Sequence, residues 1–128
     1  MSIAKMIASH PDVDGHLNDP LAEAVRHAMY AAAIGTSCAD ACVAEEHIIE
    51  MRQCFRKASD MADVATMFVA VATRRTGSNQ GVIDAAMTCL KTALTACAEE
   101  CERHDQDHCE RCGRMCRELL DDLKKASL

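Results

Sequence analysis

Four segments of this chain carry small or apolar residues at alternating steps of three and four, the spacing of a bundle seam. Positions 24, 28, 31, 35, 38 and 42 give Ala, Ala, Ala, Gly, Cys and Cys. Positions 54, 58, 61, 65 and 68 give Cys, Ala, Met, Ala and Phe. Positions 83, 87, 90, 94, 97 and 101 give Ile, Met, Leu, Leu, Cys and Cys, and 109, 112, 116, 119 and 123 give Cys, Cys, Cys, Leu and Leu. Between the segments lie turn signals: "EEHIIE", the cluster "RTGSNQG" and the polar "HDQD". Asn18 or Asp19 can cap the first segment and Pro20 suits its first turn. The pattern predicts helices over about 20–45, 47–74, 80–103 and 107–124. Residues 1–18 form a mobile or loosely docked leader, and 19–128 form the domain. Short connections make successive helices antiparallel, so the expected fold is an all-α, up-down-up-down four-helix bundle.

Each seam changes character along its length, and the direction of the change decides the chemistry. Cysteines lie at the C-terminal ends of the first and third segments and at the N-terminal ends of the second and fourth. In an antiparallel bundle those four ends coincide. Cys38, Cys42, Cys54, Cys97, Cys101, Cys109, Cys112 and Cys116 then line one end of a single core, over roughly 15 Å at 1.5 Å per residue. Ile83, Met87, Leu90, Leu94, Leu119, Leu123 and Phe68 fill the other end.

An end lined with thiols suits soft metal ions. A structural zinc site needs one tetrahedron, often built from knuckles on loops, whereas the CxxC here, Cys109–Cys112, lies on a helix. The CxxxC pairs Cys38–Cys42, Cys97–Cys101 and Cys112–Cys116 stack sulfurs one turn apart on one helix face. Such layers favour several Cu(I) ions, each shared among two or three thiolates. Zinc, or a structural bundle with reduced thiols, is the alternative. His104 caps the thiol end as a candidate mouth ligand. His108, Met61 and Cys89 are further candidates: a second mouth histidine, a thioether read mainly as core filler, and a thiol one place from the seam read as a small packed residue. His47 lies at the same end, and His10, His16 and His27 read as exposed.

Composition narrows the classes further. A net charge of −6 and scattered Lys and Arg argue against nucleic acid as partner. No apolar run was found long enough to cross a membrane, and the start "MSIAKMIASHPDVDGH" lacks a secretory h-region, so a cytoplasmic location is expected. In that compartment the nine cysteines should be thiols rather than disulfides. A di-metal carboxylate enzyme would need inward Glu-x-x-His pairs on two helices, and "EEHIIE" sits at a helix end.

The stretches "CADACVAEEHIIEMRQC" and "ACAEECERHDQDHCERCGRMCREL" resemble the bacterial four-helix-bundle copper storage proteins, in particular their cytosolic branch. The resemblance covers about residues 20–124. It implies a homotetramer of bundles that store multiple Cu(I) ions on inward cysteines, with a histidine near the mouth at His104 and no enzymatic activity. Where that family continues cysteines along the seams, this chain has Ala31, Gly35, Met61, Ala65, Leu94, Leu119 and Leu123. Half of the tube is therefore expected to be ordinary core.

Overall fold

The computed structural model describes residues 2–16, 18–75 and 77–127. Five helices follow in order: α1 (Ile3–Ala8), α2 (Asp19–Val43), α3 (Arg52–Thr73), α4 (Gln80–Cys101) and α5 (Asp107–Ala126). The long four form a closed square in which α2 packs on α3 and α5, and α4 on α3 and α5. Every seam position named above is buried. The resulting core runs from Leu21, Val25 and Phe68 at one end to the cysteines at the other.

Local chemistry sets the helix limits. Asn18 Oδ1 accepts the Leu21 N–H at 3.1 Å, and Pro20 occupies the first turn of α2; the Asp19 side chain lies outside the described residues. α3 begins at Arg52 rather than near 47. The backbone N–H groups of Glu50, Met51 and Arg52 bond to the carbonyls three residues back, giving tight turns over Ile48 and Ile49. β-Branched residues beside an acidic run favour that arrangement over helix. Met51, 1% exposed, anchors the turn to the core. α4 likewise stops at Cys101, where Arg103 and His104 close i−3 turns. Acidic Asp107 and Glu110 open α5, and Lys124 and Lys125 close it, as the helix dipole favours.

The leader is more ordered than its composition suggests. Ser2 Oγ accepts the Lys5 N–H and starts α1. Ile7 and Val13 then bury themselves with Ala22 in a small second core. Gly15, at φ +79°, takes the left-handed turn that returns the chain, its N–H bonded to the Ala8 carbonyl. α4 also differs from expectation: its 22 residues hold an 18-residue window of mean hydropathy 1.2, long and apolar enough to cross a membrane by length and composition. Its large apolar side chains Ile83, Met87, Leu90 and Leu94 are core residues of the bundle.

The helices approach closely because their seams are built from small residues. A Cβ on Gly35 would lie 2.5 Å from the Met61 terminal methyl, 3.1 Å from the Ala58 carbonyl oxygen and 3.2 Å from Ala62 Cβ. Met61 therefore seats its thioether end over Gly35 and fills the gap between α2 and α3. Gly113 does the same between α5 and α4, where a Cβ would meet Cys101 Cβ at 3.2 Å. Gly35→Ala should lower stability by about 1–3 kcal/mol despite alanine's better helix propensity, because overpacking outweighs the propensity gain. Urea denaturation of the reduced apo protein measures this, and an unchanged or raised midpoint would show that the contact is soft.

Candidate metal centre

The antiparallel arrangement delivers eight thiols to one place. Cys54, at the start of α3, has its Sγ 3.8 Å from that of Cys101, at the end of α4, and 3.6 Å from that of Cys109, at the start of α5. Cys97 Sγ lies 3.9 Å from both Cys101 and Cys112. These separations are van der Waals or weak S–H···S contacts, far beyond the ~2.05 Å of a disulfide. All eight cysteines are buried and free.

Three sets of side chains have their donor atoms mutually within 4.8 Å: Cys38, Cys42, Cys109 and His108; Cys38, Cys54 and Cys101; and Cys97, Cys112 and Cys116. Cys38 belongs to two of them, so the first two sets share a sulfur. Together the sets form a column, with the imidazole at its open end and all-sulfur sets within.

The histidines divide differently from their sequence order. His108 Nδ1 points into the column, 3.4 Å from Cys38 Sγ and 3.6 Å from Cys109 Sγ. Its Nε2 lies 2.9 Å from Glu45 Oε1, on the α2–α3 turn just beyond the neighbouring helix α2. His104, the first choice from the sequence, belongs to none of the three sets, and its Nε2 lies 2.9 Å from Glu100 Oε2. Glu100 is the one buried charged side chain among the described residues, 6% exposed. Lys57 at 3.7 Å and Arg103 at 3.9 Å complete its surroundings. A buried carboxylate without such partners would be costly, so His104 has a structural role in holding Glu100.

Three other expectations change. Cys89, read as a packed thiol, is exposed on the outside of α4. His27, read as exposed, is half-buried and pairs its Nδ1 with Asp122 at 2.7 Å, joining α2 to α5. His10 is half-buried too, accepting the Asp12 N–H on Nδ1. His47 and His16 are exposed. Met61 is fully buried against Gly35, the packing role described above.

Sharing S–H bonds in a buried cluster separates the thiols into two kinds. Cys54 is held far below the ordinary thiol range, first by its hydrogen bond with Cys101 and then by those with Cys38, Cys42 and Cys109. Cys112 is lowered to about 5, first by its hydrogen bond with Cys101. Their partners move the other way. Cys101 is pushed up, first by its bond to Cys112, and Cys116 is raised for the same leading reason. Cys38 is raised because bonds to Cys112 and Cys54 and burial outweigh its largest single contribution, the bond with Cys101, which lowers it. Burial leads in raising Cys109, and pushes Cys42 up to about 12. The cluster thus favours its first negative charges on Cys54 and Cys112 and holds Cys38, Cys42, Cys101, Cys109 and Cys116 protonated around them.

The fold and site define a class: a four-helix bundle whose core at one end is a column of reduced thiols. The family model of the copper storage proteins matches residues 17–127, and the chain belongs to that family. Among solved structures it is similar to the copper storage protein Ccsp of Streptomyces lividans loaded with ten copper equivalents, at 29% identity and a TM-score of 0.91, covering 98% of this chain and 97% of that one. The same organism's cytosolic copper storage protein with five coppers matches at 32% identity and a TM-score of 0.81, over 84% and 92% of the two chains. A histidine-to-alanine variant of Ccsp matches at 32% identity and a TM-score of 0.79, over 83% and 90%. Among curated proteins none matches.

The raised thiols make the apo protein sensitive to alkali. Cys42 ionises at about 12 in the fold against an ordinary value of 9.0, so its contribution is fully present below pH 9. It is lost as pH rises through 12. Helicity of the reduced apo protein, followed by circular dichroism, should fall across that window. Cys42→Ser, which has no ionisable thiol there, should lessen the fall; equal loss in both proteins would mean that other groups drive it.

Proposed function

We propose that this protein stores Cu(I) in the cytosol, holding several ions on Cys38, Cys42, Cys54, Cys97, Cys101, Cys109, Cys112 and Cys116. The observation that carries this reading is the column itself: eight buried thiols, with sulfur–sulfur contacts of 3.6 to 3.9 Å continuous through Cys109, Cys54, Cys101, Cys97 and Cys112. Cu(I) is soft, accepts two or three thiolates and shares them with neighbouring ions, so touching sulfurs on rigid helices suit it. The cytosolic, copper-loaded Streptomyces relatives support the same cargo. A role without catalysis fits too, since bulk storage asks only for capacity and exclusion of water. Assembly as a homotetramer follows the family resemblance.

His108 serves as the mouth ligand. Its Nδ1 is in reach of Cys38 and Cys109, whereas His104 would have to release Glu100 or turn its other nitrogen inward. Each ion bound needs thiolates, so loading releases protons from the thiols that the fold keeps neutral.

Anaerobic titration of the apo protein with Cu(I) against a chromophoric competitor tests this. Several equivalents should be taken up with helicity retained. A variant combining Cys101→Ala, Cys112→Ala and Cys116→Ala should lose more than half of that capacity, because it breaks both all-sulfur sets. Uptake of one equivalent or fewer by the natural chain, or unchanged uptake by the variant, would overturn the reading.

A further inference from the structure

The three donor sets differ in kind, and that difference points beyond copper. Two sets are all sulfur with three members each; the third is Cys38, Cys42, Cys109 and His108. Three cysteines and one histidine are a donor set of structural zinc sites. We infer that the mouth of the bundle is a zinc(II) site, occupied when copper is scarce, which closes the column until copper displaces it.

The distances support this. With Zn–S of about 2.3 Å and Zn–N of about 2.0–2.1 Å, a regular tetrahedron has S···N edges of about 3.5 Å. His108 Nδ1 lies 3.4 Å from Cys38 Sγ and 3.6 Å from Cys109 Sγ before any metal is present. Cys42 completes the four, all donor atoms being within 4.8 Å of one another.

The ring is already in the orientation and tautomer that a zinc ligand needs. For Nδ1 to present a lone pair, Nε2 must carry the proton, and Nε2 faces Glu45 Oε1 at 2.9 Å. A carboxylate that takes the far N–H of a ligating histidine fixes its direction and raises its basicity. Glu45 is therefore a positioning residue. The all-sulfur sets include no such pair.

Charge favours the divalent ion at this place. Three thiolates and a neutral imidazole around Zn(II) leave one net negative charge; the same ligands around a single Cu(I) leave two. Cys42 and Cys109 are fully buried, and Cys38 nearly so. The smaller residual charge costs less there. Because Cys38 also belongs to the set with Cys54 and Cys101, zinc at the mouth withholds a ligand from the next set while standing across the column.

The test titrates the full chain, reduced and metal-free, with zinc(II) against a chromophoric chelator, and with cobalt(II) as a coloured substitute. One equivalent should bind, cobalt giving the thiolate charge-transfer and ligand-field bands of a tetrahedral site. His108→Ala should weaken zinc at least tenfold, Glu45→Gln should weaken it by about 10- to 100-fold, and Cys97→Ala/Cys116→Ala should leave it unchanged. Circular dichroism checks that each variant is folded. No zinc uptake by a chain that still takes up several Cu(I) ions would overturn this inference and leave the copper store standing. Unchanged affinity in His108→Ala, or zinc lost in Cys97→Ala/Cys116→Ala, would overturn it by moving the ion inward. One zinc bound at the mouth of a chain that takes up no Cu(I) would support the zinc site, overturn its displacement by copper and sink the copper reading.

Discussion

Close approach of helix backbones is the constraint on which the rest depends. Sulfurs from four helices touch only if the helices carrying them run nearer than leucine-lined seams allow. Alanine at 28, 31, 58 and 65, and glycine at 35 and 113, supply that closeness. A Cβ on either glycine would meet a neighbouring helix at 3.2 Å or less. Most large side chains lie in the other half, where Phe68, Leu90, Leu94, Leu119 and Leu123 make an ordinary core; Met51 is buried at the thiol end. The bundle is in effect two materials end to end: a hydrocarbon half that stabilises the fold and a thiol half that the fold holds in readiness. Stability and cargo capacity thereby compete for one core.

Bringing so many ionisable groups together without water would be costly if they were all charged. The raised thiols Cys38, Cys42, Cys101, Cys109 and Cys116 avoid most of that cost by remaining neutral until a metal replaces their protons. Weak S–H bonds, first of all those with Cys101, hold two thiols, Cys54 and Cys112, below the ordinary range. The acids and cations stand outside this column. Glu100 is held by His104, Lys57 and Arg103, and Glu45 reaches the cluster only through the His108 ring.

Much of this was readable along the chain. Three-four spacing marked every seam residue that the structure buries, and the sorting of cysteines placed eight of them at one end. Periodicity says nothing, however, about a residue one step off a seam. Cys89 precedes Leu90 and His108 precedes Cys109, so the two stand in the same angular relation to their seams. One is exposed and the other points into the core. His108 turns inward because it sits at the end of the bundle, where Cys38 of the neighbouring α2 and Glu45 just beyond that helix meet it. The place of His104 in the turn makes it the first candidate from the sequence. Glu100, four residues earlier in the last turn of α4, is the signal that it has another partner. The order of the leader was missed because two apolar residues, Ile7 and Val13, carry no period.

The sequence alone determined the helices, their antiparallel order and the end at which the thiols gather, because these follow from spacing within single segments and from short connections. It also pointed to a soft metal ion as cargo, because thiols in layers suit such ions, with zinc as the alternative to copper. The tertiary structure decided which histidine joins the thiols, which sulfur is shared between sets and which cysteine is left outside. Those depend on contacts between side chains far apart in the chain, such as Cys38 with His108, 70 residues away. No local period encodes a distance between helices.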